Sequence, residues 1–154
     1  MIRLVLPTED YEEQVLDYKA SFERDGDSLD GTAGLLNFRT FKEWYEALLD
    51  NSCEATVREG LVPATTFLAL DENDRLVGMV DLRHRLNDAL EKCGGHIGCS
   101  VRKDERRKGY ACLLYTSPQE YRGTVHSRVL LPRFAEYPSS PTTPDHYLPV
   151  CLIR

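Results

Sequence analysis

The sequence predicts a mixed α/β (α+β) domain, a mainly antiparallel sheet flanked by helices, with an atypical C-terminal third. Three observations predict it. Apolar residues recur at helical spacing in two stretches of the first fifty residues, two runs rich in β-formers flank a short polar turn, and a glycine pair opens a further strand-like run. With 154 residues, 42% of them hydrophobic, the chain has material for one core.

Residues 2–6 form a short apolar run stopped by Pro7 and read as the first strand. Thr8 is placed to cap a helix whose first turn carries Glu9 and Asp10, where negative charge meets the positive end of the helix dipole. Tyr11, Val15, Tyr18 and Phe22 follow at spacings of four, three and four, so they share one face and are expected in the core. Residues 25–31 are acidic and glycine-containing, but Asp30 is one place out of register for an EF-hand loop and Leu36 stands where the closing Glu belongs, so they read as a solvated loop. Thr40 and Glu43 have the spacing of a capping box, each side chain able to satisfy a backbone N–H that the helix start leaves open. Phe41, Trp44, Tyr45, Leu48 and Leu49 mark the expected packing face of that helix.

A short helical turn is expected over residues 54–59, with a break at Pro63. Residues 65–70 and 75–82 read as strands joined by the polar turn Asp71, Glu72, Asn73, Asp74, which makes an antiparallel hairpin. Residues 83–92 are charged and carry no clear period; Gly94 and Gly95 then open a strand over residues 96–102.

Charge and cysteine content narrow the function classes. Acids outnumber bases 25 to 19, a formal net charge of −6, which argues against nucleic acid as the partner because phosphate binding needs a local excess of Lys and Arg. No apolar run approaches membrane-spanning length and the N-terminus lacks the layout of a signal peptide, so no membrane association and a cytoplasmic location are expected. Cys53, Cys93, Cys99, Cys112 and Cys151 are odd in number and form no C-x-x-C pair, so no metal is expected and the thiols read as structural.

The stretch that carries chemistry runs over residues 95–111. A strand leads into a basic turn, then a glycine, then small and apolar residues that begin a helix. Such a unit aims successive backbone N–H groups and the positive helix end at a phosphate, and a glycine lets the backbone approach the oxygens. With Arg106, Arg107 and Lys108 beside it, a diphosphate is the ligand this segment suits; a solvated basic turn is the alternative. Arg106, Arg107, Lys108, Gly109, Tyr110 and Ala111 fit the pattern Arg/Gln-x-x-Gly-x-Gly/Ala, and the strand ending in Val101 followed by a polar turn precedes it as well.

In these residues and in the order of elements before them, residues 1–111 resemble the first two-thirds of the GCN5-related N-acetyltransferase superfamily. Lys103 departs from the proline that many members have. The resemblance implies that acetyl-CoA is the cosubstrate and that a primary amine of a small molecule or peptide is the acceptor. It implies that Cys99, Ser100 and Val101 present backbone groups to pantetheine and the thioester carbonyl, and that Arg106, Arg107, Lys108, Gly109, Tyr110, Ala111 and Cys112 hold the pyrophosphate, mainly through backbone N–H groups. The transfer needs a base for the ammonium, donors for the carbonyl and an acid for the thiolate. The family's usual base positions are matched by Gly95 and Ile97, which carry no ionisable group, so His96, the nearest titratable side chain, is the catalytic candidate. Strand alternation puts it on the face opposite Ile97 unless a bulge resets the pattern. Asp81, Arg83 and His84 are polar enough to line an amine pocket, although a charged hairpin end is ordinarily solvated.

From Cys112 the pattern of the family is lost. Residues 112–154 hold six of the eight prolines, no lysine and a net charge of +1 against −7 before them. Residues 112–117 are similar to one translated frame of the mosaic end used by Tn5-type transposases, which implies that the 112–154 tail is foreign to an acetyltransferase frame. Pro118 limits the last helix to about two turns. The family's next strand is not legible, which would leave the cofactor cleft with one wall and a strand edge open to pairing, a route to homo-oligomers. The sequence therefore predicts an N-acetyltransferase impaired in binding and turnover, with a non-catalytic CoA-binding module and an interaction fragment as alternatives.

Overall fold

The structure, a computed structural model, describes residues 2–116. The 112–154 tail lies outside the described residues from 117 onward. The sheet has four strands in the order β1-β2-β3-β4, formed by Arg3–Val5, Ala64–Leu70, Leu76–Arg83 and Ile97–Val101. Every neighbouring pair is antiparallel. Helices α1 (Glu12–Asp25), α2 (Phe41–Asn51), α3 (Asp88–Lys92) and α4 (Tyr110–Thr116) accompany it. The mixed α+β class expected from the sequence is the observed one.

Local chemistry explains most element boundaries. Thr8 does not cap α1 with its side chain; a 3-10 turn over Glu9–Tyr11 intervenes and α1 starts at Glu12. Gly26, in left-handed conformation, closes α1 by donating to the carbonyls of Glu23 and Phe22. The capping box of α2 is present in full: Glu43 N–H donates to Thr40 Oγ1 at 3.2 Å, and Thr40 N–H to Glu43 Oε2 at 3.4 Å. The hairpin turn is organised by Asp71, whose Oδ1 accepts from the amides of Asn73 and Arg75. Residues 54–59 form turns without a helix, and the uncharacterised stretch before β4 contains α3, capped by Asn87 Oδ1 on the Leu90 amide.

Strand alternation gives the sheet two buried faces. On one, Val15, Tyr18 and Phe22 of α1 and Phe41, Trp44 and Leu48 of α2 pack on Leu68, Leu70 and Met79. On the other, Leu114 of α4 joins Phe67, Val77, Val80, Leu82 and Val101. A register shift between Ala69 and Leu70 skips Val77 in the pairing and resets the alternation of β3, so Leu76 and Met79, three residues apart, both face α1 and α2, while Val77 and Val80 face α4. Leu49, expected on the packing face of α2, is 51% exposed, and Ala47 is buried instead, because the helix turns that much about its axis.

The loop between α1 and α2 lies directly on β4. Gly31, at φ +68°, approaches Gly98 so closely that a Cβ built on it would stand 2.2 Å from the Gly98 carbonyl oxygen. Trp44 Nε1 donates to Thr32 O at 2.8 Å and fixes the loop from below.

Candidate functional site

The segment that follows β4 is set in place by ion pairs rather than by apolar packing. Arg102 donates from Nε to Leu76 O and from Nη2 to Asp17 on α1, and its guanidinium stacks 5.3 Å over the Tyr18 ring. Tyr18 in turn donates to Ser100 Oγ, and its burial pushes the phenol pKa up. Glu105, with an 8% exposed side chain, is the keystone of the next turn: Oε1 receives Arg75 Nη1 and Oε2 receives Lys108 Nζ, both at 2.7 Å. Arg75 also holds Asp104 at 2.6 Å, which keeps that carboxyl below its ordinary range. The β2–β3 turn and the basic loop are thereby tied together.

The backbone of the loop alternates in hand. Arg107 at φ +66° and Gly109 at φ +84° are both left-handed, and a Cβ on Gly109 would meet nothing within 4 Å. Such alternation curls consecutive N–H groups toward one point. Glu105 N–H donates to Arg102 O and Arg106 N–H to Lys103 O. Among the described residues, the N–H groups of Arg107, Lys108, Gly109, Tyr110 and Ala111 have no acceptor. They end at the first turn of α4, where the dipole is also positive.

The side chains of the loop behave differently from the sequence expectation. Arg106 donates from Nε to Val101 O and pairs through Nη2 with Asp27 at 2.9 Å, while Lys108 is spent on Glu105. Arg107 is the cation of the loop that points outward without a carboxylate among the described residues. Arg106 is therefore a strut whose backbone N–H is already used. Cys112 lies on the exposed side of α4.

The three β4 positions expected to serve pantetheine are not equivalent. Arg83 N–H donates to His96 O and Arg102 N–H to Val77 O, so the alternating ladder bonds Gly98 and Ser100 to β3. Ser100 backbone groups are thus used inside the sheet. Those of Cys99 and Val101 are directed to the other edge, where the Val101 carbonyl meets Arg106.

His96 is half-buried at the start of β4, its Nδ1 3.1 Å from Arg83 O. Pairing from Ile97 to Val101 runs without a register shift, so no bulge resets the alternation and His96 stays on the face opposite Ile97. The hairpin end is not solvated. Asp81 is buried, with burial raising its carboxyl pKa against the opposing Thr66 bond, and His84 is half-buried and shifted down by burial.

Among the described residues, no group of three or more His, Cys, Asp or Glu side chains is arranged to hold a metal ion, and no helix is long and apolar enough to cross a membrane. No family model, curated protein or solved structure matches this chain. The struts Asp17, Asp27 and Glu105 escaped sequence reasoning because their partners are set by tertiary contact or by a turn that has no motif.

Proposed function

We propose that β4, the loop over residues 106–109 and the first turn of α4 seat the diphosphate of acetyl-CoA, and that the chain is an N-acetyltransferase of the GCN5-related kind, impaired in turnover. The observation that carries this reading is the row of N–H groups from residue 107 to residue 111, which lack acceptors among the described residues. The element order β1, α1, α2, hairpin, β4, loop, α4 supports it as the order that the resemblance implies, with the short helix α3 inserted between the hairpin and β4 as a departure.

Each group has a role in that reading. The loop amides hold the two linked phosphates, Arg107 adds a charge, and the outward edge of β4 at Cys99 and Val101, where the Val101 carbonyl already accepts from Arg106, lies alongside the pantetheine arm. The acceptor is a primary amine of a small molecule or peptide, approached from the α1–α2 loop. Unbridged, exposed Cys53 and Cys93 suit the reducing cytoplasm where such a reaction would run.

Two features favour slow chemistry. Gly95 and Ile97 offer no base, and the His96 imidazole is engaged with the Arg83 carbonyl. Asp27 and Glu105 neutralise Arg106 and Lys108, so diphosphate affinity rests on amides and a single cation. The missing base equally favours a second reading, a CoA-binding module without turnover. Titration calorimetry with CoA and thiol release with an amine panel test both. The expected result is saturable binding near a Kd of about 10⁻⁴ M, roughly −5.5 kcal/mol, with thiol release close to background. Absence of binding removes the reading, and micromolar affinity with rapid thiol release contradicts the impairment.

A further inference from the structure

Glu105 is a buried carboxylate whose partners come from two separate segments. Arg75 Nη1, beside the β2–β3 turn, donates to Oε1, and Lys108 Nζ, in the loop, donates to Oε2, both at 2.7 Å. The Glu105 N–H donates to Arg102 O within the 3-10 turn over Lys103–Glu105. Charge-assisted bonds to both oxygens hold such a group in one place.

The anchor on the Arg75 side is itself fixed. Arg75 N–H donates to Asp71 Oδ1 and Asp71 N–H donates to Arg75 O, each at 3.0 Å. Leu76 N–H donates to Gln14 Oε1 on α1 at 2.8 Å, and Gln14 Nε2 donates to Asp74 O at 3.2 Å. The remaining arm of Arg75 holds Asp104. Helix α1, the hairpin turn and Glu105 thus form one hydrogen-bonded frame. On the loop side, the Glu105–Lys108 bridge spans Arg106 and Arg107, and Arg107 stands at φ +66°, a conformation that a residue with a Cβ disfavours. A tether across that residue restricts the alternatives open to it.

We infer that Glu105 is a positioning residue: it ties the loop over residues 106–109 to the hairpin turn and so presets the amides that receive an anion. That the anion is the diphosphate of CoA rests on the function proposed above. Charge alone predicts the opposite effect. A carboxylate beside an anion site repels the anion and occupies Arg75 and Lys108, so removing its charge would by itself strengthen binding. Removing a positioning group weakens binding, because apparent affinity falls with the fraction of molecules that hold the competent geometry.

Titration of the ¹⁵N-labelled full chain with CoA, in the parent, Glu105→Gln and Glu105→Asp, separates the two effects. Gln keeps the shape and loses the charge; Asp keeps the charge and is too short to reach both cations. The expected result is a Kd raised at least about threefold in each variant, which corresponds to a competent population of about one third. Lower global stability alone leaves the Kd of the folded protein unchanged. Equal or tighter CoA binding by Glu105→Gln, or parental affinity in Glu105→Asp, overturns the positioning role and leaves the CoA reading standing. Should Glu105→Gln fail to fold, Glu105→Asp decides. A parent that binds no CoA removes the CoA reading and, with it, this role for Glu105.

Discussion

Replacing Gly31 with alanine probes the contact that seats the α1–α2 loop on β4. Gly31 sits at φ +68°, where an L side chain costs about 1–2 kcal/mol. The new Cβ would stand 2.2 Å from Gly98 O, 2.3 Å from Gly98 C and 2.5 Å from Cys99 N. All three are backbone atoms of a paired strand, so the loop must retreat until the closest contact reaches at least 3.4 Å. Overpacking of that kind costs about 1–3 kcal/mol, giving roughly 2–5 kcal/mol in total. Against a domain stability of about 5–15 kcal/mol this is a large share. Gly98→Ala is the matched control: its backbone is not left-handed, and its Cβ meets Gly31 Cα at 3.1 Å and the movable Arg83 Nη2 at 3.2 Å. It should cost about 1–2 kcal/mol. Urea unfolding followed by Trp44 emission reads both, because Trp44 is the sole tryptophan, is fully buried and donates to Thr32 beside the contact. A Gly31→Ala protein within about 0.5 kcal/mol of the parent, or less destabilised than Gly98→Ala, refutes the reasoning.

Thr40→Ala removes one half of the α2 capping box and should cost about 1 kcal/mol in the same unfolding assay; no loss means the box is idle. Asp81→Asn should raise stability at neutral pH: the folded carboxyl pKa lies above the unfolded one, so its favourable contribution is complete in acid, below the unfolded pKa, and is lost as pH rises through the folded value. The gain should vanish in acid, and a variant less stable than the parent at neutral pH contradicts it. Asp27→Asn should cost little, because the Arg106 pair is partly solvated, and should strengthen CoA binding roughly two- to fivefold by releasing a cation beside the loop. Weaker CoA binding in calorimetry would show that Asp27 acts mainly by positioning the loop.

What the sequence made legible is what is decided locally. The Thr40 and Glu43 pair, the Tyr11 to Phe22 face, the Asp71 turn and the strand-loop-helix unit at Gly109 depend on neighbours within a few residues, so spacing alone exposes them. Strand ends shifted by a residue or two, because the bulge at Leu70 and the Arg83–His96 bond are set by pairing across the sheet. The strand-turn-helix course of the 95–111 segment was legible in sequence, but its charge pairing was not. Arg106 and Lys108 looked available in sequence, while Asp27 and Glu105 claim them in space. Asp81 had a visible signal, an acid inside an apolar strand, yet its burial follows from where Thr66 and Gly98 fall in the ladder.

The central claim is that backbone N–H groups over residues 107–111 bind the diphosphate of CoA. Titrating ¹⁵N-labelled protein with CoA and following each amide resonance tests it residue by residue. The account predicts that Arg107, Lys108, Gly109, Tyr110 and Ala111 shift most, saturating together, while Arg106 moves less because its N–H already donates to Lys103. Saturable binding that leaves those resonances in place and moves amides elsewhere would contradict it.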